Sequence, residues 1–230
     1  MISCALRRAI KFSIRRIVPS RYVAWNGRPE GNRLALTFDD GPHPEFTPRV
    51  LRALGETGVR ATFFVLGSQS ERHPQIVQAM IAAGHELGNH TYSHVNLGRL
   101  SWQQGCDELQ KADHVLRAAD PRYQGLFRPP WGWMGLGGAL YSLRHRYQAA
   151  MWSVDSRDYL LDGVEPLIER VQAAPITGGD ILLFHDDNEY TAEAIGPIVT
   201  ALQQRGFAFA TVSEILGREL PHPAASLVTG

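Results

Sequence analysis

The chain has 230 residues, 44% hydrophobic and 20% charged, a composition that suits a soluble globular protein with room for one α/β domain of barrel size. Its 23 basic and 23 acidic residues balance, which excludes a general attraction to nucleic acid or to acidic polymers. Two cysteines, Cys4 and Cys106, exclude a disulfide framework and a cysteine-rich zinc site, and they are compatible with a reducing compartment.

Residues Met1 to Gly27 hold Arg7, Arg8, Lys11, Arg15, Arg16 and Arg21 and no acid. The apolar runs between these charges are too short to span a bilayer, and Lys11, Arg15 and Arg16 interrupt any secretory h-region, so neither a transmembrane helix nor export is expected. Projected as a helix, Ile2, Leu6, Ile10, Ile14 and Ile17 gather on one side and Arg7, Arg8, Lys11 and Arg15 on the other, with Arg16 intruding on the apolar side. Two expectations follow: residues 1–18 lie on an anionic membrane surface, or they cap one end of the domain. The chain is accordingly expected in the cytoplasm, with peripheral contact to the inner membrane under the first of these.

From Arg33 onward, short apolar runs alternate with longer amphipathic ones. Strands are expected at Leu34–Phe38, Ala61–Leu66, His85–Asn89, Gly125–Arg128, Ala149–Val154, Ile181–Phe184 and Ala208–Val212. Helices are expected at Thr47–Glu56, Pro74–Ala83, Ser101–Ala119, Leu136–Tyr147, Pro166–Ala173 and Thr191–Arg205. Gly58, Gly84 and Gly206 each stand between a helix and a strand, where a left-handed stop belongs. Such alternation means parallel pairing with helical crossovers, either in an open doubly wound sheet or in a closed or nearly closed barrel. One catalytic domain over residues 31–217 is expected, between a basic segment at 1–30 and a tail at 218–230.

The stretch LALTFDDGP, Leu34 to Pro42, delivers two adjacent carboxylates, Asp39 and Asp40, from a buried strand to a turn. Neighbouring acids at such a place need a metal ion or an arginine beside them. Other polar residues out of keeping with their surroundings also follow strands directly: His90 and His94, Arg128, Asp155 and Asp158, and His185 with Asp186. Parallel strands bring all these ends to one face, where barrel enzymes place their chemistry. His90 and His94, four apart in HTYSH, fit a metal grip on one side of a helical turn, and Asp40 completes a set suited to a catalytic zinc or to non-haem iron.

TFDDGP at Thr37–Pro42, HTYSH at His90–His94, RPPW at Arg128–Trp131, DSRDY at Asp155–Tyr159 and LFH at Leu183–His185 resemble, in order, the five motifs of the polysaccharide deacetylases. These are carbohydrate esterase family four, with the nodulation-B homology domain, and the likeness runs from about Arg33 to Leu216. It implies a distorted, incomplete β/α barrel, here of seven strands. It implies Asp40, His90 and His94 as ligands of a divalent metal, zinc before cobalt, nickel or iron. It implies Asp39 as the base that takes a proton from the attacking water, Arg128 as the residue that orients that base, His185 as the acid that protonates the leaving amine, and Asp158 as its carboxylate partner. In the substrate groove it implies a backbone N–H at Trp131 facing the oxyanion and Leu183 walling the acetyl methyl, with Tyr159 at the end of the fourth motif.

The chain departs from the pattern at Trp131, where Tyr is commoner, at Tyr159, where Trp is commoner, and at Val95, where Pro commonly follows the second metal histidine. These changes touch the groove and spare the ligands and proton carriers. Asp155 is read as bonding its own turn, and His43 and Trp133 as either lining the sugar site or decorating their loops; all three stand outside the set. The expected function is removal of N-acetyl groups from N-acetylated sugars of a glycan, an oligosaccharide or a lipid-linked saccharide. The alternatives are O-acetyl or formyl removal from a lipid-linked sugar, a non-catalytic glycan-binding protein on the same scaffold, and an iron oxygenase. The last two leave Asp39 and His185 without a task.

Overall fold

A computed structural model describes residues 21–28 and 31–218. The basic amphipathic segment at 1–18 and all but the first residue of the 218–230 tail lie outside the described residues. The strands are β1 (Val23–Ala24), β2 (Arg33–Asp39), β3 (Thr62–Val65), β4 (Glu86–Asn89), β5 (Leu126–Phe127), β6 (Gln148–Ala150), β7 (Val154–Asp155), β8 (Ile181–His185) and β9 (Ala208–Phe209). The helices are α1 (Phe46–Thr57), α2 (Gly67–Arg72), α3 (Pro74–Ala82), α4 (Trp102–Ala119), α5 (Gly135–His145), α6 (Val164–Ala173), α7 (Glu189–Gln204) and α8 (Val212–Ile215).

All strand pairs are parallel, in the order β1-β6-β5-β4-β3-β2-β8-β7, with β9 alongside the start of β2. The sheet is a distorted, incomplete β/α barrel. Its curl is visible in the chain itself: β6 and β7 are separated by Met151–Ser153 alone, yet they sit toward opposite ends of the strand order. The seven expected strands are therefore nine among the described residues. The run Ala149–Val154, expected as one strand, breaks in two because the sheet's ends approach one another there. The added strand, β1, pairs with β6 at Val23↔Ala149 and Ala24↔Ala150.

Both faces of the central strand are covered, which explains its nearly unbroken apolar sequence. Leu34, Leu36 and Phe38 point to the helical layer, where Phe38 stacks on Phe63 at 5.0 Å and meets Phe184 at 5.9 Å. Burying each of these rings is worth roughly 1.5–3 kcal/mol. Ala35 points the other way, into the barrel with Phe64, Leu126, Ala150 and Ile181. The two-residue period of a strand puts Thr37 and Asp39 on that same interior side.

Gly58, Gly84 and Gly206 end their helices with φ of 68°, 80° and 85°. The expected strand Ala208–Val212 stops at Phe209, since Thr211 caps α8 by accepting from Glu214 N while Glu214 accepts from Thr211 N. Among the described residues no helix is long and apolar enough to cross a membrane.

Candidate active site

Strand register sets the site before any side chain is considered. Asp39 stands opposite Phe64 on β3 and opposite His185 on β8; Val65 stands opposite Asn89, and Asn89 opposite Phe127. The residues at or just beyond these positions, Asp39, Asp40, His90, Arg128 and His185, thus share the C-terminal rim of the barrel.

Asp40, His90 and His94 form a cluster that could hold a metal ion, their donor atoms all within 4.8 Å of one another. Asp40 Oδ1 lies 3.4 Å from His90 Nε2 and 3.0 Å from His94 Nε2. His90 Nδ1 is 2.7 Å from the carbonyl of Arg128, which can only accept, so the ring carries its proton there and turns the other nitrogen to Asp40. A carboxylate oxygen and two ring nitrogens converge in this way only with a cation or protons between them. Burial opposes ionisation of Asp40, but the hydrogen bonds and charges of His90 and His94 outweigh it and hold the carboxyl well below its usual range. Two imidazoles and one carboxylate, with the rest of the coordination sphere open, fit a catalytic divalent ion. The histidines meet through a loop rather than the expected helical turn: Thr91 and His94 adopt φ of 69° and 56°. Glu108, reaching from α4, clamps that loop by accepting from Tyr92 N, Ser93 N and Ser93 Oγ at 2.9–3.1 Å.

Asp39 faces the opposite way from its neighbour. Its Oδ1 accepts from Arg128 Nη1 at 2.7 Å, and its Oδ2 is 3.8 Å from His90 Nε2 on the side of the cluster. Arg128 is wholly buried inside the barrel, with donors to Ala150 O at 2.8 Å, Met151 O at 3.0 Å and Thr37 Oγ1 at 2.8 Å, and its guanidinium lies over the Phe64 ring at 4.1 Å. It therefore closes the seam after β6 while neutralising the buried carboxylate.

Across the rim, His185 Nδ1 is 2.8 Å from Asp158 Oδ1. Asp158 also accepts from His185 N at 2.6 Å and from Thr191 Oγ1 at 2.8 Å. Burial disfavours the imidazolium, but Asp158, helped by Asp39 and Asp40, raises the His185 pKa to about 10. The pair leaves Nε2 as the free proton-bearing atom at neutral pH.

Trp131 is half exposed, sits in a left-handed conformation with φ 53° and sets its ring against His94 at 4.4 Å. Tyr159, also half exposed, lies edge-on to His185 at 5.4 Å and donates to Asp155 Oδ2 at 3.1 Å. Leu183 is buried in β8, in register with Thr37. Asp155 accepts from Arg157 N at 3.0 Å, a turn bond as expected. His43 Nδ1 accepts from Glu45 N and Phe46 N, and its ring stacks on Phe46 at 4.5 Å, so it organises the entry to α1.

Thr191 and Glu108 support the site and carry no sequence signal of their own, whereas Thr37 opens the first motif and Asp186 follows its strand beside His185. Asp186 lies under the DDGP turn, buried, bonded to Thr47, its carboxyl pushed up to about 7 by burial and then by Asp187 and Asp40. Of the non-glycine residues with positive φ, Asp40, Thr91, His94, Trp131 and Arg157 all fall in the motif loops, and Arg146 at the end of α5 is the exception. Sparsely populated backbone gathered at one rim is what a preorganised site looks like.

The family model for polysaccharide deacetylase matches residues 26–136. A peptidoglycan-N-acetylglucosamine deacetylase of Bacillus cereus is 34% identical over 205 residues, covering 86% of this chain and 94% of that protein. A chitooligosaccharide deacetylase of a Bradyrhizobium species is 37% identical over 189 residues, covering 75% and 85%. Among solved structures, the Bc1960 peptidoglycan N-acetylglucosamine deacetylase superimposes with a TM-score of 0.83 at 28% identity, covering 91% of this chain and 98% of that one. BA3943 of Bacillus anthracis, a CE4 family pseudoenzyme, does so with a TM-score of 0.79 at 29% identity, covering 86% and 70%. Alike in sequence and fold over most of its length, the chain belongs to the polysaccharide deacetylase family.

Proposed function

We propose that the chain is a metal-dependent hydrolase that removes N-acetyl groups from N-acetylglucosamine units of a glycan, an oligosaccharide or a lipid-linked saccharide. The observation that carries this reading is the pairing of Asp39 with His185 across β2 and β8, a base and an acid beside one three-donor cluster.

Asp40, His90 and His94 would hold the ion, zinc being best suited and cobalt, nickel or iron compatible with the same donors. When bound, such an ion polarises the amide carbonyl and makes a water more acidic. Arg128 fixes Asp39 Oδ1, so Oδ2, on the side of the cluster, takes the proton as water oxygen adds to the acetyl carbon. The developing oxyanion meets the backbone N–H of Trp131, and Leu183 backs the methyl. His185, held as imidazolium by Asp158, gives its proton to the sugar nitrogen; the C–N bond breaks, and acetate and a free amine leave.

A binding-only role on this scaffold is the competing account, given that a pseudoenzyme shares the fold. It gives no task to Asp39 and His185, because holding a glycan needs neither a base nor an acid. Acetate release should be measured on chitooligosaccharides, peptidoglycan fragments and acetylated exopolysaccharides, with metal content determined in parallel. Acetate from at least one class supports the hydrolase; tight binding of the panel by metal-loaded protein without acetate would overturn it.

A further inference from the structure

Helix α5 is turned inside out for a water-soluble protein. It buries Gly137, Gly138, Tyr141 and Ser142 and exposes Leu136, Leu140 and Leu143, which recur at the spacing of one helical face. The reason lies in its neighbour. Gly137 meets Gly105 of α4 so closely that a Cβ there would lie 2.7 Å from Trp102 O and 2.9 Å from Gly105 Cα, so the first turn of the inner side admits only glycine. Three leucines facing out are therefore not a packing surplus, since Ala or a polar residue would serve the same helix.

The apolar face continues beyond the helix. Trp102 and Trp133 are 52% and 42% exposed, and Trp131, whose ring touches His94, joins them to the mouth of the cluster. Isolated exposed leucines need no explanation, but three on one helical face, with two exposed tryptophans just before them in the chain and Trp102 at the start of the helix they pack on, do. Along the chain no acid occurs between Asp120 and Asp155, while Arg144 and Arg146 project from the end of α5, exposed and with no ion pair among the described residues. Tryptophan and leucine bordered by arginine match the boundary between acyl chains and anionic headgroups. A soluble glycan would explain the tryptophans but not the leucines. A second copy of the chain would bring arginine against arginine.

We propose that Trp102, Trp133, Leu136, Leu140 and Leu143 seat the protein on an anionic bilayer, with the rim of the barrel opening at the lipid surface. This deepens the deacetylase reading by specifying a sugar presented from a membrane, as a lipid-linked saccharide is.

The test uses the full chain and vesicles of phosphatidylcholine with and without phosphatidylglycerol. The protein should sediment with the anionic vesicles at low salt, and Leu136→Gln, Leu140→Gln, Leu143→Gln together should weaken partitioning at least about tenfold, given the apolar area withdrawn. Residues 1–20 are present in both proteins, so unchanged partitioning would assign the contact to them and overturn the proposal. Bromine-labelled acyl chains should quench tryptophan emission, and Trp102→Phe, Trp133→Phe should remove most of that quenching; quenching that persists, or no vesicle binding at all, overturns it too. A dimer that the leucine variant dissolves, or loss of binding to a long soluble glycan in that variant, would hand the face to those occupants. Acetate release from a soluble chitooligosaccharide, unchanged in the leucine variant, separates failure of the face from failure of the deacetylase reading.

Discussion

Asp39 Oδ1 accepts from Arg128 Nη1 at 2.7 Å, and the two residues lie 89 positions apart at the ends of strands that never touch. The interior of the barrel is what brings them together. Arg128 spends its other donors on Thr37, Ala150 and Met151, so a single side chain holds the Asp39 carboxylate, a β2 hydroxyl and the linker leaving β6.

Truncating that side chain should therefore damage fold and chemistry at once. Arg128→Met leaves a buried carboxylate and two carbonyls without a donor and should cost roughly 3–5 kcal/mol of stability, measured by urea unfolding. Arg128→Lys restores the charge without the fork and should recover less than half of that loss, because a compact ammonium with three donors cannot span the four acceptors that the guanidinium reaches.

The metal cluster makes a separate prediction. Asp40 Oδ1 is buried beside the two histidine rings, a placement that suits the cation ligand proposed for it. Chelation should abolish acetate release, and added zinc or cobalt should restore it. Asp40→Ala should lower measured metal content as well as turnover, whereas Asp39→Asn should leave metal bound and remove at least about a hundredfold of turnover. Equal metal loss in both variants would refute the division of labour between the adjacent carboxylates.

The residues proposed as ligands and proton carriers were legible because they follow apolar runs as polar residues, a contrast that survives without tertiary information. The path between His90 and His94 was not: their spacing fits a helical turn, and only the left-handed bends at Thr91 and His94, held by Glu108, show that a loop does the work. Likewise Met151–Ser153 is apolar enough to continue a strand, and the break there belongs to closure of the sheet rather than to local propensity. Thr191 reads as an ordinary helix residue, and only the fold places its hydroxyl on Asp158. The short helix α2 was missed since six residues give no periodicity to read.

Gly41 tests the turn beneath the cluster. A Cβ at this position would fall 2.2–2.6 Å from the Asp186 carboxylate, which is itself buried and bonded to Thr47. Gly41→Ala should cost roughly 1–3 kcal/mol as overpacking and displace Asp40, lowering metal affinity. Gly41→Ala combined with Asp186→Gly makes room for the methyl and should recover metal content even if stability stays low. Failure of the double variant to recover metal would mean that the glycine is needed for some reason other than the clearance over Asp186.

His185 and Asp158 give the pH dependence its sign. The imidazolium is favoured in the folded protein, with a pKa raised from 6.5 to about 10, first against the cost of burial and then through Asp158. A group raised on folding contributes stability that is complete below its unfolded value and is lost as pH climbs through the folded one. Stability should therefore decline between about pH 6.5 and about pH 10, and His185→Gln should flatten that slope. The depressed Asp158 carboxyl acts at the other end: its contribution is present above its unfolded pKa and is lost as pH falls through its lower folded value, so His185→Gln should also soften acid unfolding. In the proposed reaction the same proton serves the leaving amine, so turnover should fall on the alkaline side as His185 deprotonates. His185→Gln should retain metal, lose at least about a hundredfold in turnover and lose the alkaline limb selectively. A variant that kept the alkaline limb, or that shed its metal, would show that His185 is not the proton donor.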